Sequence, residues 1–202
     1  MKKVLLVVLI GFATLKINAQ TEKGKFLIGA SSSSLGFSSL NSSVSMNNSE
    51  TEVETKNFNI SVKVAYFLLN NIALGVNIPY SNQLSDQDSP EVYQKNTTFQ
   101  IKPFTRIYAY SNNHMGVFLE GDVGFGKTKY ELSFLNEQNN EQVYNVVSYQ
   151  LGGGFSFFLT KYFSTDLFLG YSSTKNKIDN QGYDAETITD GFVSSIGFSF
   201  FL

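Results

Sequence analysis

The amino-acid sequence predicts an all-β fold, namely an eight-stranded antiparallel up-and-down transmembrane β-barrel. The last twelve residues, 191–202, alternate between a side that is almost wholly apolar and a side that is mostly small and polar. The apolar side consists of Phe192, Ser194, Ile196, Phe198, Phe200 and Leu202. A period of two over about ten residues is the pattern and the length with which a tilted β-strand crosses a bilayer. After residue 19 no apolar run approaches the roughly 20 residues that a membrane-spanning helix needs.

The composition supports the same fold class. The 202 residues include 19 Phe, 11 Tyr and 16 Gly but only 3 Pro. A chain rich in aromatic residues and glycine is more typical of a membrane β-barrel than of a soluble enzyme. The absence of cysteine excludes disulfides and thiolate metal sites. We expect no cofactor and no metal site.

The beginning of the chain has the features of a secretory signal. Lys2 and Lys3 form a basic start, residues 4–15 are apolar, and Ala19 offers a cleavage site before Gln20. We therefore predict a cleaved signal peptide at residues 1–19 and a barrel domain at residues 20–202. Cleavage removes three lysines and leaves 12 basic against 17 acidic side chains. The resulting formal charge of about −5 argues against a nucleic-acid partner.

Eight alternating segments, joined by two kinds of connection, account for the rest of the chain. The predicted strands are residues 25–37, 56–67, 72–80, 92–108, 117–125, 147–159, 163–171 and 191–202. Three short turns, 68–71, 110–114 and 160–162, alternate with four long polar loops, 38–52, 82–91, 131–142 and 174–187. Strict alternation of short turns with long loops is typical of an up-and-down transmembrane barrel.

Apolar residues at alternate positions set the outward side of each strand. In the first four strands these residues are Phe26, Ile28 and Ala30; Phe58, Ile60, Val62, Val64 and Tyr66; Ile72, Leu74, Val76, Ile78 and Tyr80; and Thr97, Phe99, Ile101 and Ile107. In the next three they are Val117, Leu119, Val123 and Phe125; Val147, Tyr149, Leu151, Phe155, Phe157 and Leu159; and Phe163, Thr165, Leu167, Leu169 and Tyr171. Pro103 removes one ladder hydrogen bond from the fourth strand. Because Ile101 and Ile107 keep the same parity, we expect the register to continue through it.

The signal, the hairpin rhythm and the C-terminal strand resemble those of small eight-stranded bacterial outer-membrane β-barrels of the OmpA/OmpX type, particularly the barrel-only members. The resemblance covers residues 23–202. It implies a place in the outer membrane of a Gram-negative bacterium, with the short turns in the periplasm and the long loops outside the cell. It also implies assembly by the outer-membrane barrel assembly machinery through the C-terminal strand. We expect a monomer surrounded by outer-membrane lipids.

Six charged residues fall on inward positions of these strands. They are Lys63, Lys102, Arg106, Glu120, Asp122 and Asp166. An eight-stranded barrel has just enough interior for side chains, so we expect a plugged lumen. Because an unpaired buried charge costs several kcal/mol, these residues are predicted to form an interior ion network that links strands four and five. The alternative is a gated, porin-like path for ions or small solutes.

Five lysines fall on outward positions near the loops. They are Lys56, Lys95, Lys127, Lys129 and Lys175. Ammonium groups at this height would contact the phosphates of lipopolysaccharide in the outer leaflet. The alternative is that these lysines reach into solvent from the strand ends.

The sequence offers no catalytic constellation. The one histidine, His114, falls in a short turn, so Ser-His-acid chemistry at the outer leaflet lacks its base. The run Gly152-Gly153-Gly154 lies inside a strand and precedes no helix, so it is not a nucleotide-binding motif. We therefore predict a non-enzymatic protein of the cell envelope with a structural or surface-interaction role. The alternatives are a small ion or solute channel and, less consistent with the inward charges, a soluble periplasmic lipocalin-like barrel.

Overall fold

The computed structural model describes residues 20–32, 37–46, 49–88, 91–134, 140–180 and 183–202. Nine strands occupy most of them: β1 (Phe26–Ser32), β2 (Phe37–Met46), β3 (Ser49–Leu69), β4 (Ile72–Asp88), β5 (Glu91–Ser111), β6 (Met115–Phe134), β7 (Asn140–Thr160), β8 (Phe163–Asn180) and β9 (Tyr183–Phe201). Among these residues, no helix has the length and apolar character to span a membrane. The predicted signal peptide lies outside the described residues.

The strands form one antiparallel sheet that closes on itself. From β2 to β9 each strand pairs with its neighbours in the sequence, and β1 pairs with both β3 and β9. Because β1 and β2 pair with successive parts of the same strand β3, the nine segments occupy eight positions in the ring. The predicted eight-stranded up-and-down barrel is confirmed.

The ring is closed by a short ladder at the end that carries the short turns. There β1 pairs with β9 only from Leu27, opposite Phe201, to Ser32, opposite Ile196. Among the described residues β2 pairs with β3 alone, and residues 183–195 of β9 pair only with β8. The closing junction is therefore much shorter than the other junctions of the barrel.

The prediction of four long polar loops is wrong. The ladders continue through these polar stretches, as far as Met46 opposite Ser49 and Asp88 opposite Glu91 in the first two hairpins. The other two pair as far as Leu132 with Asn140 and Asn180 with Tyr183. A ladder satisfies backbone groups whatever the side-chain polarity, so polar composition alone does not end a strand. The connecting residues 47–48, 89–90, 135–139 and 181–182 lie outside the described residues.

The three short turns are confirmed. Residues 70–71, 112–114 and 161–162 separate the strands at this end. Asn71 has a φ of 67°, in the left-handed region that Asn tolerates better than most residues. In the second turn the Asn112 side-chain oxygen accepts hydrogen bonds from the backbone N–H groups of His114 and Met115, at 2.8 and 2.9 Å.

The register runs without a shift through Pro103, where Asn77 pairs with Lys102 and Tyr80 with Phe99. Irregularities occur instead at one equivalent place in three hairpins, between Phe67 and Leu69, Tyr108 and Tyr110, and Phe158 and Thr160. Each lies just before a short turn and just after an inward aromatic residue. The three hairpins therefore share a repeated β-bulge next to the short turn.

An outer belt of apolar side chains surrounds the wall. Its members keep large exposed fractions, for example 67% at Leu151, 69% at Leu169 and 94% at Phe192. The alternate positions point inward and are buried, and many of them are polar. This arrangement is the reverse of a soluble barrel, and it follows the predicted alternation.

Four aromatic side chains close the lumen at the turn end. We call them the aromatic ring: Phe67, Tyr108, Phe158 and Phe201. Successive ring centroids lie 6.2, 6.5, 5.5 and 6.3 Å apart around the complete circuit. One member comes from each of β3, β5, β7 and β9, the strands that run toward this end. All four side chains are at most 6% exposed.

Each member of the aromatic ring is anchored through its own backbone. The N–H groups of Phe67, Tyr108, Phe158 and Phe201 donate to the carbonyl oxygens of Lys25, Asn71, His114 and Tyr162, at 2.8–2.9 Å. Every acceptor lies on the segment or turn that precedes the neighbouring strand. The aromatic ring and the turns therefore hold one another in place.

Inward glycines make room for further aromatic side chains just above the aromatic ring. A Cβ at Gly154 would lie 2.5 Å from the Phe118 ring, and one at Gly152 or Gly170 would lie 2.6 Å from the Phe168 ring. The glycine run of β7 thus relieves crowding inside the barrel.

We expect Phe158→Ala to lower the free energy of unfolding by about 3–5 kcal/mol, because the truncation opens a cavity in the aromatic ring. Urea titration of the barrel in phospholipid vesicles would measure this change. The matched control is Phe157→Ala, since Phe157 is 43% exposed on the outer belt. Equal losses from the two variants would show that the interior packing of Phe158 has no special importance.

Candidate functional site

The six inward charges meet inside the barrel, above the aromatic ring. Arg106 is central: its Nε lies 2.7 Å from Glu120 Oε2, and its Nη1 lies 2.6 Å from Asp166 Oδ2. Lys63 forms an ion pair with the other oxygen of Glu120. The Arg106 guanidinium also lies over the Phe118 ring, 4.0 Å from its centroid, so a cation–π contact adds to the ion pairs.

Hydroxyl groups complete the coordination of Asp166. Ser164 donates to its Oδ1 and Ser199 to its Oδ2, both at 2.8 Å. Tyr108 lies within hydrogen-bond distance of both Arg106 and Ser156, at 3.3 and 3.1 Å. The aromatic ring and the ion network therefore share Tyr108 and form one continuous interior structure.

The remaining pair lies nearer the loop end. Lys102 Nζ is 2.8 Å from Asp122 Oδ1. All six charged residues are at most 8% exposed. Sequence reasoning expected a link between the neighbouring strands that carry Arg106 and Glu120, but the network also includes Lys63 of β3 and Asp166 of β8. Three positive and three negative charges balance, which meets the main requirement for burying them.

Above the ion network the lumen widens into a polar cavity of about 230 Å³. Its inward lining is mostly hydroxyl and amide side chains, with Lys102 at the base. Gln100 and Ser148 are joined across it by a hydrogen bond of 2.8 Å. Below this cavity lie the buried side chains of the ion network and then those of the aromatic ring.

The arrangement offers little for catalysis. His114 is exposed in its turn, whereas the inward carboxylates are buried inside the barrel. Among the described residues no group of three His, Cys, Asp or Glu side chains could hold a metal ion. The buried acids and bases neutralise each other, so their geometry is that of a structural support.

The five predicted rim lysines lie on the outer surface near the loop end, and three of them are paired. Lys175 lies 2.6 Å from Glu186. Lys129 bridges Glu131 and Glu141 at 2.8 and 2.9 Å, and Lys95 lies 3.4 Å from Glu131. No ion pair of the described residues includes Lys127, and Lys56 is exposed.

Titration of the rim follows from these contacts. Hydrogen bonds to Glu131 and then Glu141 raise the pKa of Lys129. The bond from Lys129 lowers the pKa of Glu131. The pair is therefore present at neutral pH and is lost as the pH falls through the lowered pKa of Glu131. Both side chains contact solvent, so they contribute little to stability.

Sequence reasoning missed the aromatic ring, although its signal is in the chain. Phe67, Tyr108, Phe158 and Phe201 all occupy inward positions one or two residues before a predicted turn or the C-terminus. An aromatic residue on the polar side at four equivalent places indicates an interior plug.

Comparison with solved structures identifies the fold. The Yersinia pestis attachment invasion locus protein, Ail, matches over 89% of this chain and 99% of its own, with a TM-score of 0.51 and 14% identity. Neisserial surface protein A and OprG of Pseudomonas aeruginosa match with 14% and 15% identity over 88% and 92% of this chain and 99% of theirs, at TM-scores of 0.45 and 0.41. No protein-family model and no curated protein sequence matches the chain. The chain therefore has the eight-stranded barrel fold of Ail.

We expect Arg106→Ala to lower the free energy of unfolding by about 3–5 kcal/mol, because Glu120 and Asp166 would lose a buried counter-charge. Urea titration or the melting temperature in detergent would report the loss. The control is Lys129→Ala at the rim, which should leave stability unchanged because its ion pairs contact solvent. An unchanged melting temperature for Arg106→Ala would mean that the network does not support the barrel.

Proposed function

We propose that the protein is an exported outer-membrane β-barrel of a Gram-negative bacterium, non-enzymatic, with a plugged lumen and a structural or surface-interaction role. The observation that carries the proposal is the outer belt, which places exposed apolar side chains around the wall while the charges lie inside. In water such a surface would aggregate, whereas in a bilayer it is the favoured arrangement.

Aromatic pairs at both edges of the outer belt support a membrane position. At the turn end Phe26 packs on Tyr66 at 5.0 Å and Phe163 on Phe200 at 4.8 Å. At the other edge Tyr171 packs on Phe192 at 5.9 Å. Aromatic girdles at both interfaces are typical of transmembrane barrels.

The filled interior favours a structural role over conduction. An open path would have to pass the balanced ion network and then the aromatic ring, and both span the lumen. The same polar interior disfavours a soluble barrel that holds an apolar ligand, because that function needs an apolar cavity. No observation favours the channel over the plugged barrel.

A surface-interaction role is supported by the strands that continue beyond the outer belt. In β4, for example, residues 81–86 extend the paired wall past Tyr80 with side chains that are polar except for Leu84. Such a paired collar presents its side chains more rigidly than loops would. The name of Ail describes attachment, and an attachment role for this chain is part of the proposal.

The lysine rim suits contact with lipid phosphates of the outer leaflet. Lys127 is the better candidate, since no ion pair of the described residues includes it, whereas Lys95, Lys129 and Lys175 are already paired with glutamates. Exchange of Lys127 for Gln should reduce the lipopolysaccharide that co-purifies with the barrel, whereas Lys175→Gln should not. Equal retention by both variants would make the rim lysines ordinary solvent-exposed side chains.

The membrane assignment predicts that the protein fractionates with outer membranes and migrates differently on a detergent gel before and after boiling. A closed barrel resists the detergent until heated, so only the boiled sample unfolds fully. Recovery in the soluble periplasm with no mobility difference would contradict the proposal.

The same purified protein should show no steady unitary conductance in a planar bilayer, because the lumen is filled. A stable conductance in the unmodified protein would replace the plugged barrel with the channel. Arg106→Ala is a useful comparison, since removing the central side chain is the change most able to open a path.

A further inference from the structure

The polar cavity above the ion network has a floor to which three neighbouring strands contribute. Gln100 and Lys102 line it from β5, and Ser148 and Gln150 line it from β7. Between these strands β6 contributes Gly124, where a Cβ would come within 2.8 Å of side-chain atoms of Ser148, Lys102 and Gln100. Because this inward position of β6 carries no side chain, the side chains of β5 and β7 meet across it.

The carboxamide groups of this floor have hydrogen-bonding capacity that the fold does not use. Gln100 is 7% exposed, and its Oε1 accepts the Ser148 hydroxyl, but its Nε2 donates to no described residue. The Gln150 side chain makes no hydrogen bond to any described residue. A buried carboxamide without partners costs free energy. These groups therefore need water or a ligand inside the cavity.

The cavity is accessible from the loop end of the barrel. Thr98 and Thr174 line it nearer that end and are half-buried, whereas Gln100 and Ser148 are buried. In the opposite direction lies the buried ion network, which begins with Lys102. A solute that enters from the loop end would therefore reach the floor of the cavity and stop there.

The volume of the cavity limits the size of a ligand. The cavity measures about 230 Å³, which is space for about eight water molecules at roughly 30 Å³ each. Pockets that hold drug-sized ligands measure about 300–1,000 Å³. The space therefore suits one molecule of monosaccharide size.

The lining limits the charge of the ligand. Among the described residues that line the cavity, Lys102 alone is charged, and its Nζ lies 2.8 Å from Asp122 Oδ1. A cation would be repelled by Lys102, and an anion would find an ammonium group that already has a counter-charge. Carboxamide and hydroxyl groups both donate and accept hydrogen bonds. They match a neutral ligand that carries several hydroxyl groups.

We propose that this cavity binds a small, neutral, polyhydroxylated molecule of monosaccharide size. Gln100 Nε2 and Gln150 Nε2 donate hydrogen bonds to oxygen atoms of the ligand, and Gln150 Oε1 accepts one from a ligand hydroxyl. The ligand displaces water from the cavity and does not cross the barrel, because the ion network lies beneath it. This binding site goes beyond the surface-interaction role and does not depend on it.

Nuclear magnetic resonance of the isotope-labelled barrel in phospholipid nanodiscs tests the proposal. Glucoside detergents are avoided because their headgroup is itself a sugar. Glucose, galactose and ribose are titrated separately while the side-chain NH₂ signals of Gln100 and Gln150 are followed. We expect both signals to shift in a saturable manner with at least one of these sugars. The NH₂ signal of Asn145, which is exposed on the outside of β7, should not shift.

Two results of these titrations would overturn the proposal. One is the lack of a saturable shift with all three sugars. The other is a saturable shift with sodium phosphate and none with the sugars, which would make the cavity an anion site.

Gln150→Leu is the matched variant, because leucine has a similar size and lacks the carboxamide. Since the Gln150 side chain makes no hydrogen bond to the described residues, the melting temperature should not fall. The affinity for the sugar that saturates the wild type should fall at least about tenfold. Gly191→Ala is the control, because nothing lies within 4 Å of the added Cβ, and it should keep the wild-type affinity. Equal affinities of the wild type and Gln150→Leu would overturn the proposed site.

Discussion

The structure depends on neutralising Arg106 inside a narrow barrel. A guanidinium in this position cannot lose its proton, so the lumen must supply opposite charge and hydrogen bonds. Glu120 and Asp166 supply the charge, from two different strands. Lys63 balances the second oxygen of Glu120, and Ser164 and Ser199 complete Asp166. Apart from the Ser164 bond, which lies within β8, these contacts join different strands, so the chemistry of one side chain specifies much of the interior.

The side chains inside the barrel are of two kinds, namely those of the aromatic ring and those of the ion network. Near the turns the space is apolar and tightly packed, with glycines in the adjacent wall where Phe118 and Phe168 need room. Toward the loop end the charged side chains of the ion network follow, and beyond them lies a polar cavity. Tyr108 belongs to both groups, because its ring packs in the aromatic ring and its hydroxyl contacts Arg106 of the ion network. The polarity of the interior therefore changes gradually toward the loop end.

The alternation of side chains predicts the strands of this barrel well. Outward and inward positions of a strand meet different surroundings, so they carry different types of residue. The apolar residues at the predicted outward positions keep large exposed fractions, and the six charged residues at inward positions are buried. The pairing of Lys63 with Glu120 and of Arg106 with Asp166 could not be predicted from the sequence. It depends on the stagger between strands, which determines which side chains lie at the same height in the barrel. The polar ends of the strands were predicted as loops because the pattern that identifies a strand depends on contrast between the two faces. Where both faces contact water, as at the adjacent residues Glu186 and Thr187, the contrast disappears while the ladder persists.

The short closing ladder between β1 and β9 has a consequence for how the molecule opens. Its six residue pairs must hold the two ends of the sheet together, whereas β8 and β9 are paired from Phe163 to Asn180. Among the described residues, this junction has the fewest backbone hydrogen bonds to break, so spontaneous fraying and mechanical peeling would both begin there. Two backbone hydrogen bonds, from Phe26 N–H to the Leu202 carbonyl and from Leu202 N–H to the Phe26 carbonyl, lie at the turn end of this junction. These bonds hold β1 and β9 together at the turn end, whereas the described residues of β2 and β9 are not paired with each other. The barrel would therefore open from the loop end while the turn end stays closed.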